Sequence, residues 1–267
     1  MKRVVFFALL LAACAHTTPA PRGLHVDDGG RGAALPVLFV HGNGGNLTQW
    51  RAQLDHLRRT RRAVAFDLRG MGQSAPPADG DYSIAAMVSD IEVVADALHL
   101  RRFVIVGHSY GGAVVTTYAA KHPERVAGVV LADSAGNVRV TPEQAQKFLD
   151  ALRKDKNAVV PVWFGPILQP SSEAVRKAVL DSARATPADA LTGALADLPK
   201  VDLTPLVAAY RGPRLAIAAA DIESAASFHK QFLDVPVKKI GGAGHWLMMD
   251  KPDEFNAILD EFLATVQ

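Results

Sequence analysis

Apolar residues recur along this chain in two alternating rhythms. Short uninterrupted runs stand at Val37–Val40, Ala63–Phe66, Phe103–Val106, Val129–Ala132, Leu215–Ala218 and around Val237, and runs of that length suit strands buried on both faces of a parallel sheet. Between them the spacing turns helical, with Ile84, Met87, Ile91, Val94 and Leu98 behind Ser83, and Phe255, Ile258, Leu259, Phe262 and Leu263 behind Pro252. Each such stripe offers one apolar face to a sheet. The alternation predicts an α/β domain, doubly wound around a mostly parallel sheet, with ligands bound at the carboxyl ends of the strands.

The alternation fails between about Gly136 and Leu206, where three helical segments follow one another without a strand. Thr141-Pro142-Glu143-Gln144 supplies an N-cap, a proline at the first helical position and a capping box, and Ala145, Phe148, Leu149 and Leu152 then share one face. Ser171 or Ser172, and then Thr186-Pro187, open the next two helices. An insertion of this kind forms a cap, at about residues 137–208, over the strand ends. Trp163, Phe164 and Leu168 are candidates to line its underside as part of a substrate pocket; equally, they could serve only to pack the cap on the body.

The amino terminus has a different character. Residues 1–13, MKRVVFFALLLAA, have a basic start and an apolar run too short to cross a bilayer, the pattern of a secretory signal peptide. The chain's one cysteine follows at once, in Leu11-Ala12-Ala13-Cys14. This segment resembles the lipobox of bacterial lipoproteins, which implies lipidation of Cys14, anchoring in a membrane at the periplasmic side and, from Ala15 in the next position, sorting to the outer membrane. If Ala13-Cys14-Ala15 is instead an ordinary A-x-A cleavage site, the product is a soluble periplasmic protein. Residues 14–33, rich in Thr, Pro, Gly and Ala, read as a tether closing with a short strand near Leu24–Asp28, and residues 34–267 as the folded body.

With 49% hydrophobic residues in 267, the chain can bury roughly three quarters of its unfolded surface without a disulfide. Its formal charge is +2, and removal of Lys2 and Arg3 brings the basic residues level with the 27 acidic ones. A neutral body gives no electrostatic reason to expect nucleic acid or acidic lipid as a partner.

Gly107-His108-Ser109-Tyr110-Gly111 follows directly on the run Phe103–Val106 and precedes a small-residue helix. The pattern G-x-S-x-G alone arises by chance in roughly one chain in ten of this length, so its placement carries the weight. A strand just before and a helix just after are what a nucleophile elbow requires, because the turn leaves no room for Cβ atoms at the flanking positions. An oxyanion formed by attack of Ser109 needs donors. The N–H of Tyr110, at the start of a helix, is one candidate, and the N–H of Asn43 in the glycine-rich loop His41-Gly42-Asn43-Gly44-Gly45 is the other. That loop lacks the Lys-Ser/Thr ending of a phosphate-binding loop.

The order of HGNGGN after a strand, DLRGMGQS at 67–74, GHSYGG at 107–112 and GAGHW at 242–246 resembles the α/β-hydrolase family with a small helical cap after the sixth strand. The resemblance covers about residues 34–267. It implies Ser109 as nucleophile, His245 as base, an oxyanion hole at Asn43 and Tyr110, and structural roles for Asp67 and Arg69. Among the 9 histidines no pair has the spacing of a metal site, and neither a metal nor an organic cofactor is expected. His245 stands in a glycine-rich loop between the last strand and the C-terminal helix, where the order Ser, acid, His places the base.

Chain order makes Asp221, just after Leu215–Ala218, the expected acid. Family members carry a glycine in this turn, whereas this chain has Ala218-Ala219-Ala220 and a loop about one residue shorter. Glu223 and Asp133, the latter at the end of the preceding strand, are the alternatives.

The expected activity is that of a hydrolase acting on a small-molecule carboxylic ester through an acyl-enzyme. The same residues resemble those of cofactor-free perhydrolases, C–C bond hydrolases and amidases. A hydrolase-fold binding protein or receptor with slow turnover is the alternative outside catalysis.

Overall fold

The computed structural model describes residues 21–222 and 224–266. The signal segment, Cys14 and Glu223 lie outside them.

Strand β1 (Val26–Gly29) is followed by β2 (Val37–Val40), helix α1 (Arg51–Leu57) and β3 (Ala63–Phe66). Then come α2 (Ile84–Ala97), β4 (Phe103–His108), α3 (Tyr110–Lys121) and β5 (Val126–Ala132). Four helices interrupt the alternation: α4 (Pro142–Leu168), α5 (Glu173–Ala185), α6 (Ala188–Asp197) and α7 (Leu203–Ala209). The chain returns to the sheet with β6 (Arg214–Ala219), α8 (Phe228–Gln231) and β7 (Val237–Ile240), and ends in α9 (Leu247–Asp250) and α10 (Pro252–Thr265).

The seven strands lie in the order β1-β3-β2-β4-β5-β6-β7. β1 runs antiparallel to β3, and the other pairs are parallel. Side chains alternate across the sheet. Leu38, Val40, Val64, Phe66, Phe103 and Ile105 enter the core under α2 and α3, while Val37, Phe39, Ala63, Ala65, Val104 and Val106 enter the core under α1 and α10. Burial of both sets explains why these strands carry no polar alternation. The edge strand β7 exposes Val237, Lys238 and Lys239, and charged edge residues discourage pairing with another sheet.

Three sequence expectations need correction. The strand near Leu24–Asp28 is β1, and its pairing of Val26 with Phe66 makes it part of the sheet, so the body starts upstream of residue 34. The helical cap leaves after the fifth strand of the seven, since among the described residues only β1 precedes β2. Thr186 does not open a helix; it closes α5, its hydroxyl donating to Ser182 O at 3.0 Å. The other caps are as expected. Ser83 accepts from Ala86 N–H, Ser172 from Val175 N–H, and Thr141 and Gln144 form the reciprocal capping box. Helix α4 is broken at Asp155 (φ −154°, ψ 81°), whose carboxylate accepts from Ala158 N–H at 3.1 Å and starts the second half afresh.

The strand order reverses between β2 and β4, so the loops leaving their carboxyl ends diverge there and open a crevice.

Candidate active site

At that crevice β4 ends on His108, and the chain turns sharply into α3 at Ser109, which has φ 51° and ψ −118°. A serine in this region is strained. The flanking glycines make the turn possible. A Cβ on Gly107 would lie 2.5 Å from Gly111 O, and one on Gly111 would lie 2.5 Å from His41 O. The close approach brings the Ser109 Cβ within 3.1 Å of the Cβ position of Gly42, so the elbow and the loop after β2 share one wall. The N–H of Ser109 donates to Ala132 O at 3.0 Å, which fixes the elbow to the end of β5.

The β2 loop is held from below. His41 Nδ1–H donates to Gly42 O at 2.8 Å, and its Nε2 accepts from Leu68 N–H at 2.9 Å. Burial lowers the His41 pKa against the opposing pull of Asp67, in keeping with a neutral ring. Asp67 accepts from Leu47 N–H, Gln73 N–H and His25 Nδ1 at 2.6, 2.8 and 2.8 Å. Arg69 grips Asp90 through two 2.6 Å bonds. Both motif residues therefore brace loops. The Asn43 side chain donates to Leu191 O in the cap at 3.1 Å. Tyr110 opens α3, where a backbone N–H has no acceptor inside the helix.

His245 is carried by the loop between β7 and α9, and its Nδ1 lies 2.6 Å from Asp133 Oδ2. A carboxylate only accepts, so this bond places the ring proton on Nδ1 and leaves Nε2 free to take another. The side chains are 15% and 7% exposed, so water competes little for the bond. The other carboxylate oxygen of Asp133 accepts from Ala219 N–H at 3.1 Å. Asp133 has φ 38°, a left-handed conformation that aspartate and asparagine tolerate better than most residues.

This corrects the expectation for Asp221. That residue follows β6 but is exposed, and its carboxylate accepts from Gly242 N–H at 2.6 Å. The end of β6 instead supplies the Ala219 N–H that props Asp133. The earlier strand wins because Asp133, in a left-handed conformation directly after β5, already fills the place beside His245 Nδ1.

One participant carried no legible signal. His108 Nε2–H donates to the backbone carbonyl of His245 at 2.9 Å. Burial, and then the proximity of His245, push the His108 pKa well below its ordinary value, so the ring is neutral. His108 stands at one of the two positions of G-x-S-x-G where the pattern asks for no particular residue.

Ser109, Tyr110, Asn43, Asp133 and His245 all border one cavity of about 460 Å³ between the body and the cap. Of the three candidates for the underside of the cap, Trp163 and Phe164 line it. Leu168 does not; it is 2% exposed and packs in the core, and Ile167 takes the place on the wall. Aromatic rings run from the cap toward the histidine, Phe148 to Trp163 at 5.2 Å, Trp163 to Phe164 at 4.6 Å, Phe164 to Trp246 at 5.2 Å and Trp246 to His245 at 5.0 Å between centroids. Among the described lining residues there is no Lys or Arg. The arrangement can hold a neutral, largely apolar molecule against a strained serine, with a histidine–carboxylate pair on the same wall.

A family model described as alpha/beta hydrolase fold matches residues 36–178. A 2-hydroxymuconate semialdehyde hydrolase of Pseudomonas sp. (strain CF600) is 27% identical over 253 residues, 87% of this chain and 88% of that protein. In structure, a thermophilic esterase from Thermogutta terrifontis is similar with a TM-score of 0.80 at 24% identity, over 91% of this chain and 93% of that one. The enol-lactonase from Burkholderia xenovorans LB400 has a TM-score of 0.74 at 23% identity, over 90% and 96%. At that level of identity the two structures speak for the fold alone.

Proposed function

The chain belongs to the α/β-hydrolase fold family, and from that premise we propose that it is a serine hydrolase cleaving neutral carboxylic esters through an acyl-enzyme at Ser109. The observation that carries this reading is the 2.6 Å bond from His245 Nδ1 to Asp133 at the wall of the cavity that Ser109 also borders. In the proposed cycle Ser109 Oγ attacks the ester carbonyl while His245 Nε2 takes the hydroxyl proton, and Asp133 steadies the imidazolium. The N–H groups of Asn43 and Tyr110 receive the negative charge of the tetrahedral oxygen, each contributing about 3 to 4 kcal/mol. Collapse breaks the C–O bond, and the leaving alkoxide takes the proton from His245. Water, deprotonated by His245, then attacks the acyl carbon, and the acid departs as Ser109 regains its proton.

The relative named for 2-hydroxymuconate semialdehyde raises a different substrate class. A muconate carries a carboxylate, and leaving one unpaired in an apolar cavity costs several kcal/mol. The described lining, without Lys or Arg, favours the neutral ester.

The test is hydrolysis of a graded series of aryl esters by wild type and Ser109→Ala. The account expects turnover that falls by several orders of magnitude, toward roughly 10⁶-fold, in the variant. Equal turnover in the two proteins would refute Ser109 as nucleophile.

We further propose, from the sequence of residues 11–14, that Cys14 is lipidated and holds the enzyme on a membrane facing the periplasm. Stable anchoring takes more than one acyl chain or a second signal, so Cys14→Ser is expected to move the protein to the soluble fraction. Identical fractionation of both forms, with no lipid detected by mass spectrometry, would favour the ordinary signal peptide.

A further inference from the structure

The loop that carries His245 is held by the cap as well as by the body. His245 N–H donates to Ile167 O, in the last turn of α4, at 2.9 Å. One residue earlier, Gly244 N–H donates to Asp250 Oδ2 at 3.0 Å. The same carboxylate reaches the turn between α4 and α5, accepting from the Ser171 hydroxyl at 2.7 Å on Oδ2 and from Ser172 N–H at 3.2 Å on Oδ1. The turn is itself braced, since Arg176 Nε donates to Ser171 O at 2.7 Å and its Nη2 to Gln169 O at 3.0 Å. Contact between loop and turn is close enough that a Cβ on Gly244 would lie 2.1 Å from Ser171 Oγ and 2.9 Å from Ile167 O. Ser171 is 2% exposed. Neither Ser171 nor Asp250 is among the residues lining the cavity.

We propose that Asp250 is a positioning residue that latches the α4–α5 turn of the cap to the loop bearing His245, so that alignment of the base depends on the cap being seated. The proposal rests on His245 being the base, as argued above. An ion pair or a surface cap would need only one of these contacts. Here one carboxylate joins two elements about 80 residues apart in sequence, through three donors, directly beside the histidine. An amide at this position keeps one oxygen and turns an NH₂ group toward a donor, so it cannot serve all three.

The test compares Asp250→Asn and Ser171→Ala with wild type in two measurements. The first is ester turnover, where misplacement of the base by about 1 Å costs roughly 10²-fold in kcat. Asp250→Asn is expected to lose about that much and Ser171→Ala about tenfold, with KM unchanged because neither side chain touches the cavity. The second is the low-field proton resonance of His245 Nδ1–H against Asp133, identified by its disappearance in Asp133→Asn. It is expected to shift or broaden in both variants.

Should Asp250→Asn fail to fold, Ser171→Ala decides alone, since it deletes one hydroxyl from an otherwise intact turn. Variants that fold, keep kcat within twofold and leave the resonance unmoved would overturn the latch, even if their melting temperature falls. Absence of ester turnover in wild type would count against the proposed function instead, and the resonance would still report on the latch.

Discussion

Strands β5 and β6 lie side by side, and each ends close to a carboxylate, yet the two acids live in different surroundings. Asp133 has a side chain only 7% exposed, is strained at φ 38°, and spends one oxygen on Ala219 N–H and the other on His245. Asp221 is exposed and accepts a backbone N–H from the neighbouring loop. The first has its carboxylate fixed from both sides at a place with little access to water, so its charge acts on the imidazole with less screening than at the surface. The second is solvated and points at a loop that other contacts already hold. Proximity in chain order is therefore a weaker guide to the acid than the direction in which each strand end turns.

The largest effect should come from Asp133→Asn. Asparagine tolerates the left-handed backbone, so the fold is expected to survive, while the amide favours the wrong imidazole tautomer and kcat falls about 10⁴-fold. Circular dichroism with steady-state kinetics on one aryl ester checks both halves of that statement. A substitution in the wall sharpens the contrast by acting on binding. Trp163→Ala is expected to raise KM by about tenfold or more, with a smaller change in kcat, because it removes apolar contact common to ground and transition states.

His108, which holds the His245 carbonyl, gives a third test through pH. Its folded pKa lies well below the ordinary value, chiefly because the ring is buried. As pH falls below about 6.5 the unfolded chain takes up a proton that the folded chain refuses, so stability drops by up to about 1.4 kcal/mol per pH unit. Above that pH the contribution is flat. His41 adds in the same direction, so denaturant titrations of wild type and His108→Gln at pH 7.5 and 5.5 isolate the share of His108. An unchanged pH dependence in the variant would contradict the neutral buried ring. Asp221→Asn should do least, within about threefold in kcat, since the contact of its carboxylate with Gly242 N–H is solvent-exposed and such contacts are worth little.

The sequence made the sheet legible because each strand is buried on both faces and therefore lacks polar interruptions. The elbow was legible because Gly107 and Gly111 answer a local steric demand, a Cβ at either lying 2.5 Å from a backbone oxygen. The acid was not, because its partner is 112 residues away and the choice among Asp133, Asp221 and Glu223 depends on how strand ends turn in space. Leu168, a pocket candidate together with Trp163 and Phe164, differs from them in where it faces. The restart of α4 at Asp155 sets the phase of its second half, and there Ile167 faces the cavity while Leu168 joins the core. The role of Asp250 was equally hidden, since the donors it joins come from two distant segments.

The central claim is that Ser109 reacts and that Asp133, not Asp221, supports the histidine that activates it. It is tested most directly by the rate at which a fluorophosphonate modifies wild type, Asp133→Asn and Asp221→Asn, followed by intact mass and peptide mapping. The account predicts one adduct, on Ser109, forming about 10³- to 10⁴-fold more slowly in Asp133→Asn and within about threefold of wild type in Asp221→Asn. An adduct on another residue, or a collapse of the rate in Asp221→Asn with Asp133→Asn unaffected, would contradict it.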